Sequence, residues 1–495
     1  MKINEFFSFT YNKIEKEGDK NEINLENVKK IVDLSAEFHK KAKIPAKNCK
    51  IDEDSLILES GHQPNFFPYS GIWRKVFLLD YFTEMFREKT IPIFGFFDFN
   101  LSTAKWLFQN RIPAVNKNGF VTIGFTKPRN LDMWRRFNSI EKPSEKKWEK
   151  EINKIYNIYG KNEKVEEIAE EIWKSYELGD TLSDVNAILF ARLSSKLGFN
   201  VLFFRYSDVQ KSKLFVDEWR KIIDKVELFN KIHNEVVESK NLGDIGFVDI
   251  NSAPFWYHCE CGGKVQMHLN GSFNGECLVC GKSYEFDDNE IEEEFKNLSP
   301  KAVMRNTVFA EGLRTTVFIA GSGGGLRYGL ISNEVAKRFG FNIPITLAWS
   351  GRDYYLGKAH KIVLKELERN LKVGIDDLFD YDIALSKVKK RRFQLAKAIS
   401  SSDEKRRGQY VYSETLLSIA NNVFSTTPSM LDLLASGYDV VEVWQKTIVD
   451  AEIENKEFCI IKKDVVYGDE NLPKLYDAIK RLKNRSKEID PLNIL

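Results

Sequence analysis

Three short apolar runs, each ending in polar residues, constrain this chain more than any other feature. They are Leu56-Ile57-Leu58, Thr90-Ile91-Pro92-Ile93-Phe94 and Asn200-Val201-Leu202-Phe203-Phe204. Each is too short for a helix and suits a parallel strand buried on both faces. After the first comes Gly61-His62-Gln63-Pro64-Asn65-Phe66-Phe67-Pro68-Tyr69-Ser70-Gly71, and a helical pattern begins near Ile72. Glycine at both ends and two prolines fix this loop and let its backbone approach a ligand. Strand, tight polar loop and helix make an anion-binding corner of an α/β sheet. His62, Gln63, Asn65 and Ser70 then supply side chains at the carboxyl edge; the bland alternative is an ordinary loop with a surface histidine.

The second run ends at Asp98 and Asn100, where open α/β sheets place ligands. A carboxylate there binds a hydroxyl, an amine or Mg²⁺, or else caps the next helix. A helix opening at Thr181 and stopping at Gly198 precedes the third run, so the first half reads as doubly wound α/β. Further on, Thr315 to Ala320 forms another strand, ending in Gly321-Ser322-Gly323-Gly324-Gly325 before a helix. This second strand-end loop can cradle an anion, although it lacks the G-x-x-x-x-G-K-[ST] pattern. Residues 127–175 are dense in charges of both signs and read as a solvated helical insertion.

Cysteine usage points to a metal. Four of the six cysteines form Cys259-Glu260-Cys261 and Cys277-Leu278-Val279-Cys280, separated by fifteen residues and each pair followed by glycine. Two thiolate pairs on such knuckles close a tetrahedron around Zn²⁺, with His258 as an alternative ligand and reduced cysteines or two disulfides as alternatives to metal. A closed Cys₄ shell leaves no open position, so the zinc is expected to be structural. The start of the chain shows no signal-peptide pattern and no apolar run reaches about eighteen residues, so a cytoplasmic protein without a membrane partner is expected. Net charge is only +2, which leaves nucleic acid undemanded.

From His360 onward the pattern is helical. Leu364, Leu367, Leu371 and Leu378 mark an apolar seam, and Lys387, Lys389, Lys390, Arg391 and Arg392 make a basic run. The seams suggest a coiled-coil arm and homodimer contact; the basic run has a nucleic-acid surface as its competing reading.

The order of motifs resembles the bacillithiol-biosynthesis cysteine-adding enzymes (BshC). Gly61 to Gly71 stands where that family has G-Q-Q-x-G-L-x-x-G-P, and Pro92-Ile93-Phe94 matches its Pro-hydrophobic-Phe strand. Thr181 to Asp184 through Gly198 to Leu202, Ser299-Pro300 through Arg305, Ala320 to Gly324 and the helix ending at Phe379 carry the rest of the likeness. Departures are Asp98-Phe99-Asn100-Leu101 in place of an E-D-H-D cluster, His62 in place of Gln, a glycine turn without its glutamate, and the inserted ribbon.

The resemblance implies a Rossmann-like parallel sheet, related to nucleotidyltransferases and class I synthetases, with a helical dimerisation arm; the zinc ribbon read from the cysteine spacing is inserted in it. The layout is then core 1–254, ribbon 255–288, core 289–359, dimerisation arm 360–445, and 446–495 returning to the core. It further implies a ligase joining cysteine, or a similar amino acid, to a small amine such as that of a glucosaminyl malate, with ATP or ADP as candidate nucleotide. His62, Gln63 and Asp98 would be catalytic. Gly61, Asn65, Ser70, Gly71, Asn100, Arg305, Asn306, Gly321, Ser322, Gly323 and Gly324 would bind substrate or nucleotide; the metal set Cys259, Cys261, Cys277 and Cys280 rests on the spacing alone. The rival reading is a non-catalytic module gripping RNA or a protein through the ribbon and the basic arm.

Overall fold

The computed structural model describes residues 1–17, 22–47, 49–86, 89–399, 404–455 and 457–485. It is mixed α/β. Among the described residues the main sheet has seven strands: β1 (Leu56–His62), β2 (Thr90–Phe96), β3 (Leu202–Arg205), β4 (Val317–Ala320), β5 (Ile345–Ser350), β6 (Ile453–Asn455) and β7 (Cys459–Lys462). Their order across the sheet is β6-β7-β5-β4-β1-β2-β3. All neighbours pair in parallel except β6, which runs antiparallel on β7.

The apolar runs are continuous because the sheet is covered on both faces. Leu56 and Leu58 enter one core with Phe94, Phe96, Val317 and Ile319; Ile57 enters the other with Ile91, Ile93 and Phe204. Successive side chains on a strand point to opposite faces, so both must be apolar here. The helix Ser70–Phe86 connects β1 to β2 and the helix Gly324–Phe339 connects β4 to β5. From β1 the chain builds outward through β2 to β3, then returns to lay β4 on the other side of β1. The strand order therefore reverses between β1 and β4, and open sheets leave a crevice at that point.

A second sheet of five strands among the described residues carries the cysteines. Its strands Ser252–His258, Lys264–Asn270, Ser272–Glu276 and Ser283–Phe286 form a meander, and Leu298–Pro300 pairs back on the first. The ribbon sheet therefore spans 252–300, wider than the expected 255–288, because each knuckle needs strand on both sides to be held.

The helical region differs from the expected arm. Helices Lys358–Leu371, Tyr381–Ile399 and Glu404–Phe424 pack with the C-terminal helix Leu472–Asn484. The seam residues Leu364, Leu367, Leu371 and Leu378 are buried with Leu416, Leu417, Leu475 and Ile479 of the same chain. An apolar seam is equally satisfied by a helix of its own chain, and here that helix covers it. Within 446–495, β6 and β7 join the main sheet and Leu472–Asn484 joins the helices; 486–495 lie outside the described residues. The insertion 127–175 is solvated on one face only: helix Glu145–Tyr159 buries Trp148, Ile152 and Ile155. No helix among the described residues is long and apolar enough to cross a membrane.

Truncating the covering helix tests this arrangement. Ile479 is 1% exposed, so Ile479→Ala is expected to destabilise the helical unit by about 2–4 kcal/mol, read by thermal melting.

Candidate functional site

The crevice at the strand reversal is a cleft of about 1000 Å³. Its floor is the carboxyl end of β1 and β4, and every expected binding residue except Asp98 and Ser70 lines it. Gly61, His62, Gln63, Asn65 and Gly71 come from the first loop, Asn100 from the loop after β2, Arg305 and Asn306 from the helix Ala302–Leu313, and Gly321 to Gly324 from the turn after β4.

The first loop is held from behind. Phe66 and Phe67 are buried in edge-to-face contact, and Phe66 packs on Trp148 of the insertion. Asn186 donates to the Pro64 carbonyl at 2.9 Å, Asn110 donates to the Phe67 carbonyl, and the Phe66 amide bonds Trp106 O at 3.0 Å. Phe67 takes φ 45°, left-handed backbone that a non-glycine adopts only when its surroundings impose it. Gly61 is required because a Cβ there would sit 2.7 Å from Gly95 O, its register partner on β2.

Electrostatically the cleft is one-signed. Arg74, Lys75, Lys264, Lys301 and Arg305 line it, and no Asp or Glu does among the described residues. Three helices begin at its walls: Ser70–Phe86, Ala302–Leu313 and Gly324–Phe339. Their free N-terminal amides add partial positive charge. Lys75 donates to Gly61 O at 2.5 Å. Burial and Arg305 push its ammonium down to about 7. Arg74 donates to Gly351 O at 2.9 Å and lies 3.6 Å from Asp353, while its Nε and Nη1 stay unpartnered.

His62 is a neutral imidazole here. Burial, then the Lys75 charge, push it down to about 3. Nδ1 lies 2.9 Å from the Gln63 carbonyl, which can only accept, so the neutral ring carries its proton on Nδ1 and Nε2 is left as acceptor.

Asp98 is a correction to the expected catalytic set. It accepts from the Ser207 amide at 3.0 Å and from Asn138 at 3.2 Å, is 2% exposed, and does not line the cleft. It does not cap the next helix either: the amide it accepts from is in the first turn of the distant helix Tyr206–Lys211. Ser70 is likewise structural: its hydroxyl donates to Asp353 at 2.6 Å and is fully buried. Arg74 and Lys75 carry a sequence signal that was overlooked, two charges inside the apolar run Trp73 to Leu79. Buried Glu59 shows none, standing mid-strand beneath Thr315 and Tyr206.

The opposite wall is the ribbon. Along Ser252–His258, Ser252, Pro254 and Trp256 face the cleft, as do Lys264 and Gln266 on the next strand. The alternate residues Phe255, Tyr257, Val265 and Met267 enter the core with Phe273 and Phe286. At the end of this hairpin the four thiols meet. Cys259 and Cys280 sulfurs are 3.5 Å apart, Cys261 and Cys277 3.6 Å, and all four lie within 4.8 Å of one another. Sulfurs at about 2.3 Å from a tetrahedral zinc lie at similar separations, so the set is close enough to hold a metal and is compatible with structural zinc. His258 is not a fifth candidate: its ring bonds Ser299 at 2.8 Å and accepts from Arg136 at 3.2 Å. A Cβ at Gly263 would lie 2.6 Å from the Cys277 sulfur, which explains the glycine after the knuckle. Arg135 donates to the Cys261 carbonyl and the Arg136 amide bonds Gly262 O at 2.8 Å, fastening the knuckle to the core.

The basic run of the helical region is largely engaged within the chain. Arg392 is fully buried beside Tyr410, Lys387 pairs with Asp377 at 2.6 Å, and Arg391 donates to Asn370 O. No protein-family model and no curated protein matches this chain.

Two outcomes follow. Purified protein is expected to carry about one zinc per chain by elemental analysis, as one Cys₄ shell holds one ion, and chelation to lower its melting temperature and open the ribbon to proteolysis. Acid should destabilise the fold through His62 and His360, each pushed down to about 3 by burial. Below about 6.5 the unfolded imidazoles bind protons that the folded ones refuse, so stability is full above that pH and falls as pH drops toward 3, read by urea midpoints across pH.

Proposed function

We propose that the chain is a small-molecule enzyme on a Rossmann-like sheet, and that its cleft takes a nucleotide or a comparable phosphorylated ligand. The observation that carries this reading is the convergence of five cationic side chains and three helix N-termini at the strand reversal, with no carboxylate in the lining among the described residues. In strand order β3-β2-β1-β4-β5 the sheet follows the doubly wound arrangement that places ligands at that crevice. A polyanion is the ligand such a lining favours.

The reaction class comes from the resemblance to cysteine-adding enzymes: amide formation between an amino-acid carboxylate and a small amine. A free carboxylate needs activation, and adenylation would join it to the α-phosphorus of ATP with release of pyrophosphate. Attack by the amine would then form the C–N bond and release AMP. In this reading the amides of Gly321 to Gly324 and the Arg305 fork hold phosphate oxygens. Gln63 and Asn65 orient the substrate; Asn65 Oδ1 is buried without a partner and is free to accept from it. His62 replaces Asp98 as the group that receives the amine's proton. In the empty cleft its Nε2 is a weak base, because burial, Lys75 and Arg305 all oppose its protonation. A bound polyanion offsets those two charges and raises it.

The test is calorimetry of the zinc-loaded protein with ATP and ADP, combined with nitrogen-15 titration of His62. ATP is expected to bind, Arg305→Met to weaken it at least about tenfold through the lost charged fork, and the His62 midpoint to move upward in the complex. Absence of any nucleotide heat at millimolar ligand would sink the reading.

A further inference from the structure

Of the five cations in the cleft, three have partners on the protein. Lys75 is bonded to Gly61 O, Arg74 to Gly351 O, and Lys301 to the Ser252 hydroxyl at 2.9 Å. Lys264 and Arg305 differ. Lys264 is 3% exposed, and its ammonium lies over the Phe99 and Trp256 rings at 5.3 and 5.2 Å, without a hydrogen bond or ion pair to any described residue. Arg305 is 9% exposed, with its guanidinium carbon 3.6 Å from the centre of the Phe97 ring; its guanidinium bonds no described residue and its Nε is buried and unpartnered.

A buried cation without a partner is costly, and two that repel each other are costlier. Arg305 depresses Lys264 after burial itself does, so the two charges act on one another. The carboxylates that attract them act from a distance and pair with neither, each being held in place by neutral donors. Glu59, which draws on Arg305, accepts from Thr315 at 2.6 Å, and Asp98, which draws on Lys264, accepts from Ser207 and Asn138. The two cations also come from different units: Lys264 stands on the ribbon strand that follows the first thiol knuckle, and Arg305 on the first turns of the helix Ala302–Leu313. Among the described residues none pairs with either side chain, and both face the cleft, where an entering oxyanion would meet them together.

We propose that Lys264 and Arg305 form an oxyanion subsite, closed between the ribbon and the main sheet by a phosphate or carboxylate group of the ligand. It rests on the reading of the cleft as a ligand site, and it makes the ribbon part of the binding surface. A metal held by Cys259, Cys261, Cys277 and Cys280 would fix the knuckle and with it the register His258↔Lys264 that places the lysine. Arg305 supplies the planar fork and Lys264 a point charge, a pair suited to a tetrahedral or planar oxyanion.

The probe is inorganic pyrophosphate, titrated calorimetrically into the full-length, zinc-loaded protein, with malonate in parallel to tell a phosphate from a carboxylate source. Lys264→Met, which keeps the length of the stem, is expected to weaken the preferred anion at least about tenfold and to leave the melting temperature of the empty protein unchanged or higher. Lys282→Met, a ribbon lysine 50% exposed and paired with Glu260, serves as the control for general electrostatics and is expected to change little. Equal losses in the two variants, or a Lys264→Met protein that binds both anions as before, would overturn the subsite. ATP binding that persists alongside such a result leaves the nucleotide reading standing. Anion binding that depends on Lys264 without any ATP binding keeps the subsite and removes the nucleotide.

Discussion

The pairing of β1 with β4 is the contact on which the rest depends. Ser60 donates to the Ile319 carbonyl at 2.7 Å across a separation of 259 residues. That one seam joins two half-sheets built in opposite directions and brings the two strand-end loops to a common edge. Closing so long a loop is less costly than its length suggests, since the entropy grows only with the logarithm of chain length. The intervening chain can therefore hold an insertion, a cysteine-bearing ribbon and several helices without weakening the seam, provided each buries its own apolar face.

The cleft sets stability against binding. Two desolvated lysines and a desolvated arginine gathered beside helix N-termini raise the free energy of the fold. Their cost is offset by the two cores on either side of the sheet, where Trp73, Trp148 and Trp219 are almost fully buried. Sites of this kind are where proteins concentrate perturbed protonation equilibria.

What was legible in the sequence follows from how directly each feature is written. Strands buried on both faces must be apolar throughout, so Leu56 to Leu58 and Asn200 to Phe204 stand out; a Cys₄ shell needs its knuckles, so the spacing alone finds it. The glycine-bearing loops were legible because close backbone approach admits little else. Asp98 is ambiguous in the sequence because strand-end carboxylates cap, bind and catalyse from the same position, and its bond with the Ser207 amide, over a hundred residues on, has no sequence signal. The leucine seam after His360 does not say whose helix will cover it; Leu475 and Ile479, about a hundred residues on, do so. Lys264 could not be found at all, because alternation on the ribbon strand places it but nothing in its type separates it from the many lysines in solvent.

The long separation between β1 and β4 also bears on synthesis. As the chain leaves the ribosome, β1, β2 and β3 emerge first, and the β1 edge stays unpaired until residues 317–320 arrive. An exposed apolar edge is a template for wrong pairing, and the interval lasts for some 250 residues of translation, on the order of tens of seconds at about 5–20 residues per second. The ribbon lies within that interval, and a metal ion taken up by its four thiols would let it order before the sheet is complete. Availability of the ion during translation would then decide how much nascent chain reaches the point at which β4 covers β1.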